Sequence, residues 1–299
     1  MSARPLHGPL HGCGTALVTP FRKDGSVDEK SLRALVDWQI EQGIHFLVPC
    51  GSTGEAATLS NDEHLRVVAV VVEQAAGRVP VVAGLNQNDT AAAVRFAKQV
   101  AAQRPSHLMV VGPPYNRPPQ RGFVAHYETI ADAIDVPVVV YNVPGRTGSN
   151  ILAKTTLALA EHENIVAVKE ASGSIDQILQ VILHRPEGFS VLSGDDPLTV
   201  PVMALGGDGI VSVVSNAVPG PMSRLTEAMD RGDLATAREL MRSLQPIMTT
   251  GFLESNPMPM KAAMSMLGRM EDVLRLPLVT LADEHRGPLR DSLRAAGAL

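Results

Sequence analysis

Short apolar runs alternate with longer amphipathic stretches along most of the chain. The runs are rich in Val, Ile and Leu and lie at residues 15–19, 45–49, 79–83, 107–111, 136–141, 165–169, 189–192 and 210–214. They are nearly continuous rather than alternating, which is typical of parallel strands buried on both faces. The pattern therefore predicts repeated strand–helix units with right-handed crossovers.

The stretches between the runs carry signals for the start and end of helices. Ser60 and Glu63 form a capping box before an amphipathic segment at 65–76, and a glycine follows that segment. Asp28 opens a similar segment at 32–42, which a glycine also ends. These signals predict helices between the strands.

The strand–helix units number eight, and the last one ends with a helix near 221–229. Eight units in a chain of this length predict an α/β fold, the (β/α)₈ TIM barrel, which takes about 250 residues; an open doubly wound sheet is the alternative. Three further helices are predicted at 234–249, 258–267 and 285–296. We therefore expect a catalytic barrel at 1–232 and a C-terminal three-helix extension at 233–299.

Composition and charge exclude several classes of function. The 299 residues carry a net charge of −5 with no basic run longer than Arg22-Lys23, so no surface for nucleic acid or anionic membranes is predicted. No apolar stretch approaches the roughly 18 residues of a membrane helix, and residues 1–9 lack the apolar core of a signal peptide. The two cysteines, Cys13 and Cys50, could pair in principle, but two thiols in 299 residues are more typical of a reducing compartment than of a disulfide framework. We expect a soluble cytoplasmic protein.

Polar residues gather where the predicted strands end, and a barrel's active site lies at those ends. They are Gly51-Ser52-Thr53-Gly54-Glu55, Asn86, Asn88, Tyr115-Asn116, Tyr141-Asn142, Lys169-Glu170, Gly194-Asp195-Asp196, Ser212 and Asn216. Their convergence on one face is the pattern of an enzyme.

Lys169 is the most informative of these residues. The other lysines, Lys261 among them, fall on predicted helices or helix starts, where a lysine is usually a solvated charge. Lys169 ends an apolar strand, where partial burial would lower its pKa and expose the amine as a nucleophile. The alternative is an ion pair with a carboxylate such as Glu170.

Three further strand-end features suit an amine nucleophile. Tyr141 ends the preceding strand and is placed to act as general acid and base. Ser52 and Thr53 offer hydroxyls and backbone N–H groups to a carboxylate, although an ordinary turn explains the motif equally well. Arg146 is placed to reach over the pocket and bind a second carboxylate, with a surface arginine as the alternative.

Metal and dinucleotide sites are not indicated. The histidines are scattered, no cysteine pair has ligand spacing, and no Gly-x-Gly-x-x-Gly follows a strand. The carboxylates of Gly194-Asp195-Asp196 are better explained as a helix N-cap before Pro197. The sequence favours an amine mechanism without a metal or cofactor.

The strand-end motifs resemble those of the dihydrodipicolinate synthase family, a group of pyruvate-dependent class I aldolases that also includes N-acetylneuraminate lyase. The similarity runs from about Gly14 to the C-terminus, in the family's order and spacing. The matching segments are Gly51-Ser52-Thr53-Gly54-Glu55, Tyr115-Asn116-Arg117-Pro118, Tyr141-Asn142-Val143-Pro144-Gly145-Arg146-Thr147, Val168-Lys169-Glu170-Ala171, Ser193-Gly194-Asp195-Asp196, Gly206-Gly207-Asp208-Gly209-Ile210-Val211-Ser212 and Asn256-Pro257-Met258-Pro259-Met260-Lys261. The resemblance implies a lyase of the lysine and diaminopimelate pathway, built as a homotetramer from a dimer of dimers.

The resemblance also implies a catalytic set. Lys169 would form a Schiff base with pyruvate, so that no cofactor is needed, and Tyr141 would be the acid and base. Ser52 or Thr53 and Tyr115 would relay protons, with Tyr115 supplied to the neighbouring subunit's site.

The substrate contacts follow in the same way. Thr53 and the backbone near Val211 would hold the pyruvate carboxylate, and Arg146 would receive the carboxylate of aspartate semialdehyde. Gly194 and Asn256 are the further substrate-binding residues that we expect.

Two departures bear on the substrate. Ser52 stands where synthases usually have Thr, and the same motif resembles the sister N-acetylneuraminate lyases. Those lyases lack an arginine at the position of Arg146, so Arg146 favours a substrate that ends in a carboxylate. Another pyruvate-dependent aldolase, acting on N-acetylneuraminate or a 2-keto-3-deoxy sugar acid, is the alternative, and a non-catalytic metabolite-binding barrel is a third.

A third departure concerns regulation. Lysine-inhibited members bind L-lysine with an acidic residue, a histidine and an aromatic residue. At those positions this chain has Ala92, Asn61 and Pro114, although His64 and Asn88 remain. We expect weak or absent lysine feedback.

Overall fold

The computed structural model describes residues 8–299. The prediction that residues 1–9 lack a signal-peptide core falls mostly outside this range. The described chain contains eight strands, all joined in parallel. They are β1 (Gly12–Ala16), β2 (Phe46–Val48), β3 (Val82–Leu85), β4 (His107–Val111), β5 (Val138–Asn142), β6 (Ile165–Glu170), β7 (Ser190–Ser193) and β8 (Gly209–Ser212).

The strands form a closed ring. Their order is β2-β1-β8-β7-β6-β5-β4-β3, and the two ends of this series meet. Leu47 in β2 forms a parallel bridge with Val81, just before β3, and the backbone N–H of Gly84 in β3 donates to the carbonyl of Pro49 at 2.9 Å. The predicted (β/α)₈ barrel is confirmed, and the open-sheet alternative is wrong.

Helices separate the strands and continue beyond the barrel. Those of the barrel are α1 (Glu29–Glu41), α2 (Asn61–Ala75), α3 (Thr90–Ala101), α4 (Gln120–Ala131), α5 (Pro144–Thr147), α6 (Ala153–Ala160), α7 (Ile175–His184), α8 (Thr199–Ala204) and α9 (Pro219–Asp230). The C-terminal helices are α10 (Leu234–Thr250), α11 (Met258–Met266) and α12 (Asp283–Ala295). From residue 8 onward, no helix has the length and apolarity needed to cross a membrane.

The predicted helix starts are confirmed in detail. Ser60 accepts a hydrogen bond from the backbone N–H of Glu63, whose side chain accepts one from the backbone of Ser60. Asp28 caps α1 by accepting from the backbone N–H of Ser31. These local contacts need no tertiary information, which is why the pattern of residues sufficed to predict them.

The predicted bounds of β1 and β3 are wrong by about three residues, because glycines interrupt the hydrophobic pattern of these two strands. Gly14 lies in β1, where an added Cβ would fall 2.0 Å from the ring of Phe46. Gly84 lies in β3, where an added Cβ would fall 2.2 Å from the carbonyl oxygen of Cys50. Only glycine fits at these crowded positions, and glycine carries no hydrophobic signal.

Side chains of each strand alternate between the barrel interior and the layer under the helices. Phe46, Val139, Tyr141 and Ala167 share one buried cluster, which fills the interior. Val140 and Val168, their neighbours along β5 and β6, belong to the cluster under the helices. The barrel interior is therefore packed with side chains.

The C-terminal helices are tied to the barrel by packing and by charge. Helix α10 packs on α9, and α12 packs on α10. Between α11 and α12, the guanidinium of Arg275 donates to both carboxylate oxygens of Glu63 at the start of α2. This pairing lowers the pKa of Glu63 from its usual 4.5 to about 2.

We predict that Glu63→Gln lowers the free energy of unfolding near neutral pH by about 1 kcal/mol, because the pair is partly solvent-screened. The unfolded chain binds a proton at Glu63 at higher pH than the folded chain does, so this contribution is complete above about pH 4.5 and is lost as pH falls toward 2. Urea unfolding of both proteins across this range measures the difference.

Glu73→Gln is the matched control, because Glu73 pairs with Arg33 on the surface and its side chain is 54% exposed. This variant should change the free energy of unfolding by less than about 0.5 kcal/mol. A destabilisation by Glu63→Gln that stays constant from neutral pH to pH 2 would contradict the prediction.

Candidate active site

Strands β5 and β6 place Tyr141 and Lys169 side by side inside the barrel. The two residues are register partners in neighbouring strands. The Nζ atom of Lys169 lies 4.2 Å from the centre of the Tyr141 ring. Both side chains are more than nine-tenths buried. The sequence-predicted pairing of an amine with a phenol is thus present in the structure.

Glu170 points the opposite way, toward the helices. Its carboxylate accepts hydrogen bonds from Asn142 at 3.0 Å, from Gln177 at 3.0 Å and from the backbone N–H of Ser172 at 2.7 Å. Burial raises the pKa of Glu170, and these donors counteract part of the shift. The alternative in which Glu170 pairs with Lys169 is therefore wrong, because the strand sends consecutive side chains to opposite faces.

A cavity of about 220 Å³ opens above Lys169 at the carboxyl ends of the strands. It is lined by Ala16, Gly51, Ser52, Thr53, Met109, Tyr141, Val143, Gly145, Arg146, Lys169, Ala171, Gly194, Asp195, Val213, Phe252 and Asn256. A second cavity of about 570 Å³ shares Ser52, Arg146 and Asn256 with the first. Most of the predicted site residues therefore meet around one space that continues outward.

Hydrogen bonds connect three of the lining residues. Asn256 donates from its side-chain amide to the hydroxyl of Thr53 at 2.8 Å, within a buried contact. Arg146, on α5, donates to the backbone carbonyl of Asn256 at 3.2 Å. Asn256 therefore links Thr53, which is buried, to Arg146, which is exposed at the surface.

Two predicted residues lie outside this cavity. Val211 is buried in the barrel interior, and the cavity wall near β8 is formed by Val213 instead. Tyr115 is 90% exposed and adopts a positive φ of 69°, with its backbone N–H bonded to the carbonyl of Thr147 at 3.1 Å. The chain does not bring Tyr115 to its own Lys169.

The predicted N-cap at Asp195-Asp196 needs correction. A short 3₁₀ turn does begin at Asp196, but no side chain caps it. The Asp196 carboxylate instead accepts from the hydroxyl of Ser212 at 2.5 Å and from the backbone N–H of Val213 at 3.1 Å. It thereby fixes the turn after β8. Asp195 lines the cavity, where burial raises its pKa and the positive charge of Lys169 counteracts part of the shift.

Lys261 contradicts the expectation that a helical lysine is solvated. Its side chain is fully buried on α11 and forms an ion pair with Glu55. Helical position alone gives no sign of this, and a charged residue inside the apolar segment 258–264 is the one signal that the sequence carried. Within residues 8–299, no group of three or more His, Cys, Asp and Glu side chains is arranged to hold a metal ion.

The fold and cavity define a class, a (β/α)₈ barrel with a buried lysine and tyrosine at the usual place of a barrel active site. The sequence profile of the Dihydrodipicolinate synthetase family matches residues 9–296. The chain belongs to this family.

Individual relatives agree with this assignment. The chain is 53% identical to a 4-hydroxy-tetrahydrodipicolinate synthase of Koribacter versatilis, over 97% of each sequence. The dihydrodipicolinate synthase of Acinetobacter baumannii, solved with pyruvate, superimposes with a TM-score of 0.95 at 39% identity, over 97% of this chain and 99% of that one. The synthase of Cyanidioschyzon merolae, solved with lysine bound, gives 0.94 at 37% identity, over 99% of this chain and all of that one.

We predict that Gly194→Ala destabilises the fold by about 1–3 kcal/mol through overpacking. An added Cβ at Gly194 would fall 2.5 Å from the Cβ of Ala171 and 3.2 Å from the Cε of Lys169. Chemical denaturation measures the loss. Gly287→Ala, on α12 with nothing within 4 Å, is the control and should not destabilise. Equal stabilities for the Gly194 variant and wild type would refute the prediction.

Proposed function

We propose that the chain condenses pyruvate with L-aspartate 4-semialdehyde, the activity of a 4-hydroxy-tetrahydrodipicolinate synthase in the diaminopimelate and lysine pathway. The observation that carries the proposal is the Lys169 amine, which lies beside Tyr141 at a cavity that Arg146 also lines. The family assignment and the name of the Koribacter versatilis relative support it.

Lys169 is the proposed nucleophile. Its amine adds to the ketone carbon of pyruvate, and Tyr141 gives a proton to the oxygen that leaves as water, which forms the Schiff base. Loss of a methyl proton gives the enamine, whose carbon attacks the semialdehyde's aldehyde carbon, and the aldehyde oxygen takes up a proton to become a hydroxyl. The semialdehyde amine then closes on the former ketone carbon and expels the Lys169 amine.

A comparison of the two buried lysines, Lys169 and Lys261, supports this role for Lys169. Lys261 is fully enclosed and held by Glu55, so its amine is not open to a substrate. Lys169 lines the cavity, and no ion pair to it occurs among the residues that the structure describes. No cofactor enters the proposed steps, because the covalent bond to Lys169 itself activates pyruvate.

Two carboxylates require two polar positions in the cavity. The Thr53 hydroxyl, on the wall of the cavity that Lys169 also lines, is proposed to bind the pyruvate carboxylate together with backbone groups near Val211 and Val213. Arg146 lines both the inner and the outer cavity, which suits a semialdehyde carboxylate that enters second. Ser52 is proposed to relay protons, and Gly194 leaves room for the bound pyruvate.

Tyr115 fits the proposal only in an assembly. Because it is 90% exposed and absent from its own cavity, we propose that it serves the site of a second copy, within a cytoplasmic homotetramer built as a dimer of dimers.

The test is turnover of pyruvate with aspartate semialdehyde by wild type, Arg146→Ala and Lys169→Ala. We expect Lys169→Ala to abolish both turnover and the borohydride-reduced pyruvate adduct. Arg146→Ala should lower kcat/KM for the semialdehyde about 10- to 100-fold, because it removes charge-assisted hydrogen bonds, and should leave the adduct intact. Unchanged turnover in Arg146→Ala, or preferred turnover of sugar aldehydes by wild type, would favour a sister aldolase.

Lysine feedback provides a separate prediction. His64 is buried with Nε2 bonded to the carbonyl of Gly84 at 2.9 Å, and burial lowers its pKa to about 4, so it carries no charge near neutral pH. Ala92 offers no carboxylate to a lysine ammonium, a loss of about 1.5–3 kcal/mol. We expect half-inhibition by L-lysine only above about 1 mM. A lysine titration of turnover measures it, and half-inhibition well below that concentration would contradict the prediction.

A further inference from the structure

The loop after β2, residues 51–55, is held at its end by a buried ion pair. Glu55 closes this loop with a positive φ of 53° and pairs with Lys261 on α11. Both side chains have no exposed surface. The pair therefore joins the loop that carries Ser52 and Thr53 to the C-terminal helices.

Further contacts complete the pair. The Nζ atom of Lys261 donates to the carbonyl of Val273 at 2.8 Å and lies 3.9 Å from the centre of the Phe21 ring. The second oxygen of Glu55 accepts from the backbone N–H of Arg275 at 3.1 Å. Burial lowers the pKa of Lys261 to about 8, and the charge of Glu55 counteracts part of that shift.

A buried ion pair is a poor source of stability, because the desolvation of two charges cancels much of their attraction. The pair restricts the positions of both side chains more than it adds stability, because each buried charge is stabilised only where it faces its partner. Fixing Glu55 fixes the end of a tight turn, in which Gly54 donates to the carbonyl of Gly51 at 3.0 Å and Glu55 to that of Ser52 at 3.2 Å.

The same C-terminal segment holds the middle of the loop. Asn256, five positions before Lys261, donates to the hydroxyl of Thr53 at 2.8 Å. The loop carbonyl of Gly54 also accepts from the hydroxyl of Thr19 at 2.7 Å. Thr53 therefore lies between two attachments to the C-terminal region, one at its own side chain and one at Glu55.

We propose that Glu55 and Lys261 are positioning residues, whose buried ion pair holds the 51–55 loop so that the Thr53 hydroxyl faces the substrate carboxylate beside Lys169. The inference rests on the proposed function, in which Thr53 binds the pyruvate carboxylate. The side chains of both residues have no exposed surface, so both act through the loop.

The test is the double variant Glu55→Gln/Lys261→Met, which removes both charges and keeps the approximate side-chain volumes. Because no single charge is left unpaired, we expect it to fold. The pyruvate concentration that gives half-maximal borohydride-reduced adduct on Lys169 should rise about tenfold, while the maximal adduct stays as in wild type. Intact mass spectrometry measures both quantities without the second substrate.

The control is Arg185→Met/Asp208→Asn, which removes a partly buried ion pair at the amino end of β8, away from the cavity. It should keep the wild-type half-saturation even if its melting temperature falls. Comparing the two double variants separates positioning from general stability. A pair with only a structural role would affect the melting temperature and leave the half-saturating pyruvate concentration unchanged.

Should the double variant not fold, Glu55→Gln alone decides the question, because the amide oxygen still accepts a hydrogen bond from one of the two donors, the Lys261 amine or the Arg275 backbone N–H. We expect a smaller increase, about threefold, in its half-saturating pyruvate concentration. A folded double variant with the half-saturating pyruvate concentration of wild type would overturn this inference and leave the proposed function standing. If the double variant does not fold, the same result for Glu55→Gln would overturn it. A wild type that forms no adduct would overturn the proposed function and this inference with it.

Discussion

The parallel register between β5 and β6 is the constraint on which the site depends. It sets Tyr141 directly opposite Lys169, with both side chains in the barrel interior. Because side chains alternate along a strand, the same register sends Asn142 and Glu170 outward together, where they bond to each other. A slip of one residue would turn the inward side chains outward and the outward ones inward. The register therefore fixes both the Lys169 amine inside the barrel and the Glu170 carboxylate outside it.

The chemistry of a buried lysine then depends on what faces it. Lys261 meets a carboxylate, a carbonyl and an aromatic ring, and these contacts occupy its amine. Lys169 meets an aromatic ring and an open cavity that the Asp195 carboxyl also lines. Burial is common to both lysines, and access distinguishes them. The amine that retains access is the one suited to attack a carbonyl.

Sequence patterns predicted what is local or strongly periodic. All eight strands exist, and the caps at Ser60 and Asp28 form as expected, because these features depend on neighbouring residues. Lys169 and Tyr141 were found because strand ends converge in a barrel. The buried state of Lys261 was missed, because its partner Glu55 lies more than two hundred positions away and helical spacing does not report it. The bonds of Asp196 to the turn after β8 were missed because its partner Ser212 lies sixteen positions away in the next strand, beyond the reach of local capping patterns.

The C-terminal helices look like an appendage in the sequence, since the strand signals stop before them. In the structure they complete the site. Phe252 and Asn256 form part of the cavity wall, and Lys261 supplies the cation that faces Glu55. A barrel that ended at residue 232 would leave the Glu55 carboxylate buried without its cation and would leave Thr53 without the Asn256 donor. The sequence pattern thus changes from strand–helix units to helices near residue 232, but residues from both sides of this point line the cavity.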